Sequence, residues 1–287
     1  MVLGHIMAAA DESDAGRQAV RAAADLAARC SARLSVVRVV ALEAAPRFAG
    51  VGEGTGLIGA AADEPELDRL RRWLEAGVLG NDEADGVQLG VAYGIPGIEI
   101  CRYAEGHGAD LVVLGRKQHS RMMRLLLGDT ADAVARRSRL PGLFVQQGAP
   151  DIRKILVALD GGDRGMSVLS QAAEFARQIG ATLQTITVES SPADEPPAIA
   201  TSLPLARTAA LQRRTSEMLL QKGLPDAPLR IRRGDISDEV TAEVRETGAD
   251  LLVVGYRRGG PPGVIEAGSI GRRLAHAAAC AIMTVPL

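Results

Sequence analysis

Gly255 closes an unbroken apolar run, Leu251-Leu252-Val253-Val254, and Gly268-Ser269 follows beyond a stretch rich in Arg, Gly and Pro. A helix opening at Gly268-Ser269 would offer free backbone N–H groups and the positive end of its dipole to an anion. Glycine lets the backbone come close to a phosphate. The Ser269 hydroxyl, with Ile270 beside it, can donate to a phosphate oxygen, and Arg257 and Arg258 add positive charge. Asp160 ends a second apolar run, Ile155-Leu156-Val157-Ala158-Leu159. A carboxylate there can accept from sugar hydroxyls or hold a metal ion.

The elements that would position these residues occur twice. Ile6-Met7-Ala8-Ala9-Ala10-Asp11 returns 149 positions later as Ile155-Leu156-Val157-Ala158-Leu159-Asp160. Gly108-Ala109-Asp110-Leu111-Val112-Val113-Leu114-Gly115 returns 140 positions later as Gly248-Ala249-Asp250-Leu251-Leu252-Val253-Val254-Gly255. Gly128 and Gly268 share that offset. An octamer matched together with its flanks indicates tandem copies of one domain. Residues 1–148 and 151–287 are the expected domains, joined near Gln146-Gln147-Gly148-Ala149-Pro150.

Within each copy the apolar runs ending at Asp11 and Asp160 predict strands buried on both faces. Helices follow, with Val20, Ala23, Ala24, Ala27 and Cys30 on one face, matched by Leu169, Ala172, Ala173, Ala176 and Ile179. Second strands are expected at Leu34–Val40 and Leu183–Val188, and third strands at Val87–Ala92 and Leu229–Arg232. Residues 43–66 and 190–204 read as irregular, with helices over Leu67–Val78 and Leu205–Lys222 after them. Further helices and strands lead to Phe144-Val145 and Met283–Val285. Alternating β and α elements imply an α/β fold, a doubly wound parallel sheet in each copy. Its ligand crevice lies at the carboxyl ends of the strands, where strand order reverses.

On Gly255, Gly268, Ser269, Asp160 and Val188, the chain resembles the universal stress protein family in its tandem two-domain form. The family's motif is G-x2-G-x9-G-[S/T], with an Asp closing strand one and a Val closing strand two. The second copy matches it except that Arg258 stands in place of the second glycine. The first copy has Gly115, Gln118, Gly128 and Asp129, with Asp11 and Val39 in place. The resemblance implies five strands per copy in the order 3-2-1-4-5, the adenine nucleotide alpha hydrolase-like fold. It also implies ATP, with or without Mg²⁺, at Ala158, Leu159, Asp160, Val188, Gly255, Arg258, Gly268, Ser269 and Ile270. It implies an intramolecular pseudo-dimer through the final strands, with a further homodimer left open. No catalytic role is expected of any residue.

The departures bear on which copy binds. A side chain at a left-handed position costs about 1–2 kcal/mol, though Gly259 can supply the turn one residue later. A carboxylate about 4 Å from a phosphate charge is repelled by about 4 kcal/mol at an effective dielectric near 20. Asp129 thus disfavours phosphate in the first copy, where it is instead a good helix N-cap. Two readings stay open: a sensor binding adenine nucleotide in the second copy, and a nucleotide-free interaction scaffold with a protein partner.

Other features argue against competing functions. Across 287 residues, 33 basic groups face 35 acidic ones, which gives no reason to expect nucleic acid. No run approaches a membrane span and the first residues do not read as a signal peptide, so the expected location is the cytoplasm. Cys30, Cys101 and Cys280 suggest neither disulfides nor a thiolate metal site, and Cys101 and Cys280 read as packing residues. The histidines His5, His107, His119 and His276 read as surface or helix-end residues, and Arg136-Arg137 and Arg272-Arg273 as solvated helix faces. Gly54-Thr55-Gly56-Leu57-Ile58-Gly59 lacks the preceding strand that a dinucleotide fingerprint needs. Asp160-Gly161-Gly162-Asp163 with Ser167 resembles the loop of ATP pyrophosphatases, but starts on a carboxylate that a phosphate-wrapping loop would not use.

Overall fold

The computed structural model describes residues 2–41, 60–80, 84–116, 129–146, 151–160, 162–189, 203–256, 274 and 280–287. The chain forms two compact units, one built on Leu3–Gln118 and the other on Ala149–Leu287. In the first, β1 (His5–Ala10), α1 (Asp14–Cys30), β2 (Arg33–Val40), α2 (Ala60–Glu75), β3 (Gln88–Tyr93), α3 (Pro96–Gly106), β4 (Leu111–Gly115), α4 (Asp129–Arg137) and β5 (Gly142–Val145) follow one another. In the second, β6 (Lys154–Leu159), α5 (Asp163–Ile179), β7 (Thr182–Glu189), α6 (Leu203–Gln221), β8 (Leu229–Arg233), α7 (Ile236–Thr247), β9 (Leu251–Tyr256) and β10 (Ala281–Pro286) do so. Within each unit the strands pair in parallel. The orders β3-β2-β1-β4-β5 and β8-β7-β6-β9-β10 are both 3-2-1-4-5, the doubly wound fold predicted from the alternating pattern.

The apolar runs are strands because a central parallel strand is covered on both faces. Ile6, Met7 and Ala8 in β1, and Ile155, Leu156 and Val157 in β6, are all buried. Along α5 the five face residues predicted from spacing are buried. In α1 the buried face is turned slightly from the predicted one. Ala19, Val20, Ala23, Leu26 and Ala27 are buried, while Ala24 and Cys30 are half-exposed. Covering Leu26 removes more apolar area from water than covering Ala24 would. α2 begins at Ala60 rather than Leu67 and carries Pro65 inside it. The run Ala60-Ala61-Ala62 supplies strong helix formers ahead of that proline.

The repeated G-A-D-L octamer owes its aspartate to the amino edge of the sheet. Asp110 Oδ2 accepts from the backbone N–H groups of Gly4 and His5 at 2.8 and 2.9 Å. Asp250 Oδ2 accepts from Arg153 and Lys154 at 3.0 and 2.9 Å. Each carboxylate thus ties the start of its fourth strand to the start of the first. Asp250→Ala is expected to lower the unfolding free energy by about 1–2 kcal/mol. The measurement is the guanidinium midpoint at unchanged slope; a midpoint equal to that of the wild type would show that the tie contributes nothing.

Candidate functional site

Strand register decides which residues share the carboxyl edge. In the second unit Leu159 pairs with Thr187 and Ala158 with Val254. Asp160 therefore stands level with Val188, and Leu159 with Gly255. In the first unit Ala10 pairs with Arg38 and Ala8 with Val113, which sets Asp11 level with Val39 and Ala10 with Gly115. Ala158, Leu159, Asp160, Val188 and Gly255 are thus brought together where the strand order reverses. Leu159 is buried, and its carbonyl accepts from Thr187 Oγ1 at 2.9 Å. Ala158 and Val188 are half-buried and Asp160 is exposed. β9 continues one residue past Gly255, to the buried Tyr256. Arg258, Gly268, Ser269 and Ile270 lie outside the described residues, as do Arg257, Gln118, Gly128 and the Gly54–Gly59 segment. The expected cap of Asp129 lies outside them too, because only its backbone, as the first residue of α4, is described.

The strand-end aspartates are held by the helices that follow them. Asp160 Oδ1 accepts from Gly162 N–H at 2.9 Å and from Gly165 N–H at 3.1 Å. Among the described residues no donor reaches its Oδ2. Asp11 does the same through an intermediary. Its Oδ1 accepts from the backbone N–H of Ser13 at 3.2 Å and from the Ser13 hydroxyl. Ser13 Oγ in turn accepts from Gly16 N–H at 3.2 Å. In both units a carboxylate neutralises the positive end of the helix.

This contact requires glycines whose role the motif reading missed. A Cβ on Gly165 would lie 2.5 Å from Asp160 Oδ1, and one on Gly16 would lie 2.7 Å from Asp11 Oδ1. The signal was present in the sequence as Asp-x4-Gly, repeated 149 positions apart. Gly115 answers a second close approach, since a Cβ there would sit 2.1 Å from the Ala15 carbonyl oxygen. At Gly255 the nearest atoms are methyl groups of Leu287 and Val168, at 3.0 and 3.1 Å.

The first unit carries charge at two positions of its carboxyl edge that are uncharged in the second. Glu12, next after Asp11, has a left-handed backbone with φ 53°. Its carboxylate accepts from Arg38 at 2.6 Å and from Arg69 at 2.7 and 2.9 Å. Arg38 Nε also forms an ion pair with Glu66 at 2.9 Å. The Arg69 hydrogen bond, with Arg38 adding to it, holds the Glu12 carboxyl below the usual glutamate range against the opposing effect of burial. Tyr93, at the end of β3, is pushed up by burial and by the charges of Asp63 and Glu66. The positions matching Glu12 and Arg38 are Gly161 and Thr187.

The remaining candidates are structural. His5 is buried rather than at the surface, with Nε2 2.8 Å from Ser35 Oγ and Nδ1 3.3 Å from the Gly108 carbonyl. These two partners satisfy both ring nitrogens, which is what admits a histidine to the start of a central strand. His107 is a helix-end residue stacked on Tyr103, as expected. Cys101 and Cys280 are buried. Burial, with Glu105 adding to it, pushes the Cys101 thiol up to about 11, which keeps it an inert packing group. Arg136 pairs with Asp132 at 2.7 Å. His119, His276 and Arg272-Arg273 lie outside the described residues. Among the described residues no cluster of His, Cys, Asp and Glu could hold a metal, and no helix is long and apolar enough to cross a membrane.

Two outcomes follow from this geometry. Gly115→Ala must displace backbone, whereas Gly255→Ala meets only side chains, so the first is expected to cost roughly 1–3 kcal/mol more. Denaturant midpoints of the two variants measure this, and the reverse order would refute it. The lowered Glu12 value means its ion pairs stabilise the fold above the ordinary glutamate range, and that this is lost as pH falls through the lowered value. The midpoint gap between wild type and Glu12→Gln should be open at neutral pH and closed in acid. A gap that ignores pH would remove the electrostatic account.

The comparisons agree with this architecture. The Universal stress protein family model matches residues 3–146 and again 151–286. A universal stress protein from Archaeoglobus fulgidus DSM 4304 has a similar structure, with 18% identity, TM-score 0.74, and coverage of 100% of this chain and 99% of its own. A functionally unknown protein from Pseudomonas aeruginosa PAO1 is 17% identical with TM-score 0.64, covering 99% of this chain and 92% of its own. At these identities the likeness speaks for the fold. No curated protein matches the chain. The two family matches together span nearly every residue, and the chain belongs to the universal stress protein family as a tandem of two family domains.

Proposed function

We propose that the protein is a stress-response protein that binds an adenine nucleotide, ATP with or without Mg²⁺, in its second domain. The nucleotide acts as a regulatory ligand and is not turned over. The observation that carries this reading is the state of Asp160. The α5 start pins Oδ1, among the described residues no donor reaches Oδ2, and the side chain is exposed beside Val188 and Gly255. A fixed acceptor at the carboxyl edge suits the hydroxyls of a ribose. Ala158, Leu159 and Gly255 would contribute backbone, and Val188 an apolar wall. Gly268, Ser269 and Ile270 would receive the phosphates at a helix start, with Arg258 as counter-charge.

The first domain is the poorer host. Its crevice carries the Glu12 carboxylate beside Asp11, and Asp129 stands in the place of Ser269. A nucleotide-free scaffold for a protein partner is the second reading, favoured by Arg258 at the motif's second glycine. The setting proposed for either is the cytoplasm.

Denaturing the purified protein and chromatographing the supernatant should release adenine nucleotide. Titration of the emptied protein with ATP and Mg²⁺ should show one site per chain, and Ser269→Asp should abolish it. No heat at millimolar nucleotide would sink the sensor reading in favour of the scaffold. Two sites per chain would overturn the preference for the second domain, and steady release of ADP, or of AMP and pyrophosphate, would overturn the non-enzymatic assignment.

A further inference from the structure

Two non-glycine residues with positive φ stand out among those described, Glu12 and Ser31. Ser31 is a helix C-cap, where that conformation is ordinary. Glu12 lies instead on the carboxyl edge of the first sheet, at the reversal of strand order, where the matching residue of the second domain is Gly161. L-residues avoid this conformation unless their surroundings impose it. Here the surroundings are two arginines. Arg69 presents Nε and Nη2 to the two oxygens of Glu12, at 2.7 and 2.9 Å, and Arg38 Nη1 adds a third hydrogen bond at 2.6 Å. A guanidinium fork meets a phosphate with the same two-pronged geometry. Glu66 holds Arg38 from the other side at 2.9 Å, so the four side chains sum to zero charge. In the second domain the residue matching Arg38 is Thr187, whose hydroxyl is used up on the Leu159 carbonyl at 2.9 Å.

We propose that Glu12 is an internal ligand: its carboxylate occupies an oxyanion site made by Arg69 and Arg38, and keeps the first domain closed to phosphate-type ligands. Removing the carboxylate leaves Arg38, Arg69 and Glu66 with one net positive charge beside Asp11, and an unoccupied fork at the crevice. The inference concerns the first domain alone and does not require that the second domain bind nucleotide.

The test is calorimetric titration of the full chain with pyrophosphate, without metal. Wild type, Glu12→Gly and the double variant Glu12→Gly/Arg69→Ala are compared. Glycine is the residue the second domain carries at this position, and it accepts the left-handed backbone without strain. Glu12→Gly should gain one site per chain, at least about tenfold tighter than any binding by wild type. The double variant should return to the wild-type isotherm. Equal isotherms for wild type and Glu12→Gly would overturn the proposal, as would extra binding that survives Arg69→Ala. Should Glu12→Gly fail to fold, Glu12→Ala also empties the fork, and the same outcomes apply. The readout is a difference from wild type, so a failure here is separate from a failure of the ATP titration.

Discussion

Each strand-end aspartate is tied to the first turn of the helix that follows it, Asp160 directly and Asp11 through Ser13, and much of the local geometry follows from that tie. In the second domain one oxygen of Asp160 spans both Gly162 and Gly165, at 2.9 and 3.1 Å. The helix must then start low over the sheet, which leaves no room for a Cβ at Gly165 or at Gly16. The same low start brings the Ala15 carbonyl over the end of β4, where only Gly115 fits. The helix dipole and its unpaired N–H groups are satisfied by a residue of the protein itself. An anion arriving at this edge therefore finds those donors occupied.

The two domains solve one packing problem in two ways. In the first, Gly90 of β3 makes room for the Tyr103 ring of α3, whose Oη would lie 2.1 Å from a Cβ on Gly90. The matching positions of the second are Arg230 and Glu243. Glu243 is buried, and Arg232 donates to it at 2.6 Å, to Glu239 at 3.3 Å and also to Glu246. An apolar ring over a glycine has been exchanged for an ion-pair cluster in the same slot. Neither half of such a pair moves alone. A tyrosine at position 243 would meet the Arg230 side chain, and an unpaired buried glutamate would carry an uncompensated charge.

The frame was legible because its strands are buried on both faces, so that runs such as Ile155–Leu159 stand out against their flanks. The edge was legible because Asp160, Val188 and Gly255 each close or nearly close a run. What the sequence hid was held in tertiary contacts. His5 reads as an exposed terminal residue, but its ring is satisfied by Ser35 and by Gly108, far away in the chain. The left-handed Glu12 could not be read from its residue type, which argues against that backbone. A faint sign was Arg38, a charge inside an otherwise apolar strand. The start of α2 was obscured by Pro65, and the Asp-x4-Gly spacing was passed over because glycine in a first helical turn looks like a weak helix former rather than a steric requirement.

The differences between the domains gather at the carboxyl edge for a physical reason. At the amino edge Asp110 and Asp250 make the same pair of backbone contacts, and losing either would loosen a central strand. Within the strands, a change of even one methylene is felt by both helical layers. Beyond the strand ends, side chains are freer of the packed layers, so Glu12 can stand where the second domain has a glycine without disturbing the sheet. The condition is electrostatic. A glutamate placed beside Asp11 would repel it unless opposite charge arrived too, and Arg38 and Arg69 supply that charge while Glu66 balances the excess. The first domain thus acquires at its crevice a four-residue ion-pair cluster that is neutral within itself, on a strand order that remains the same as that of the second.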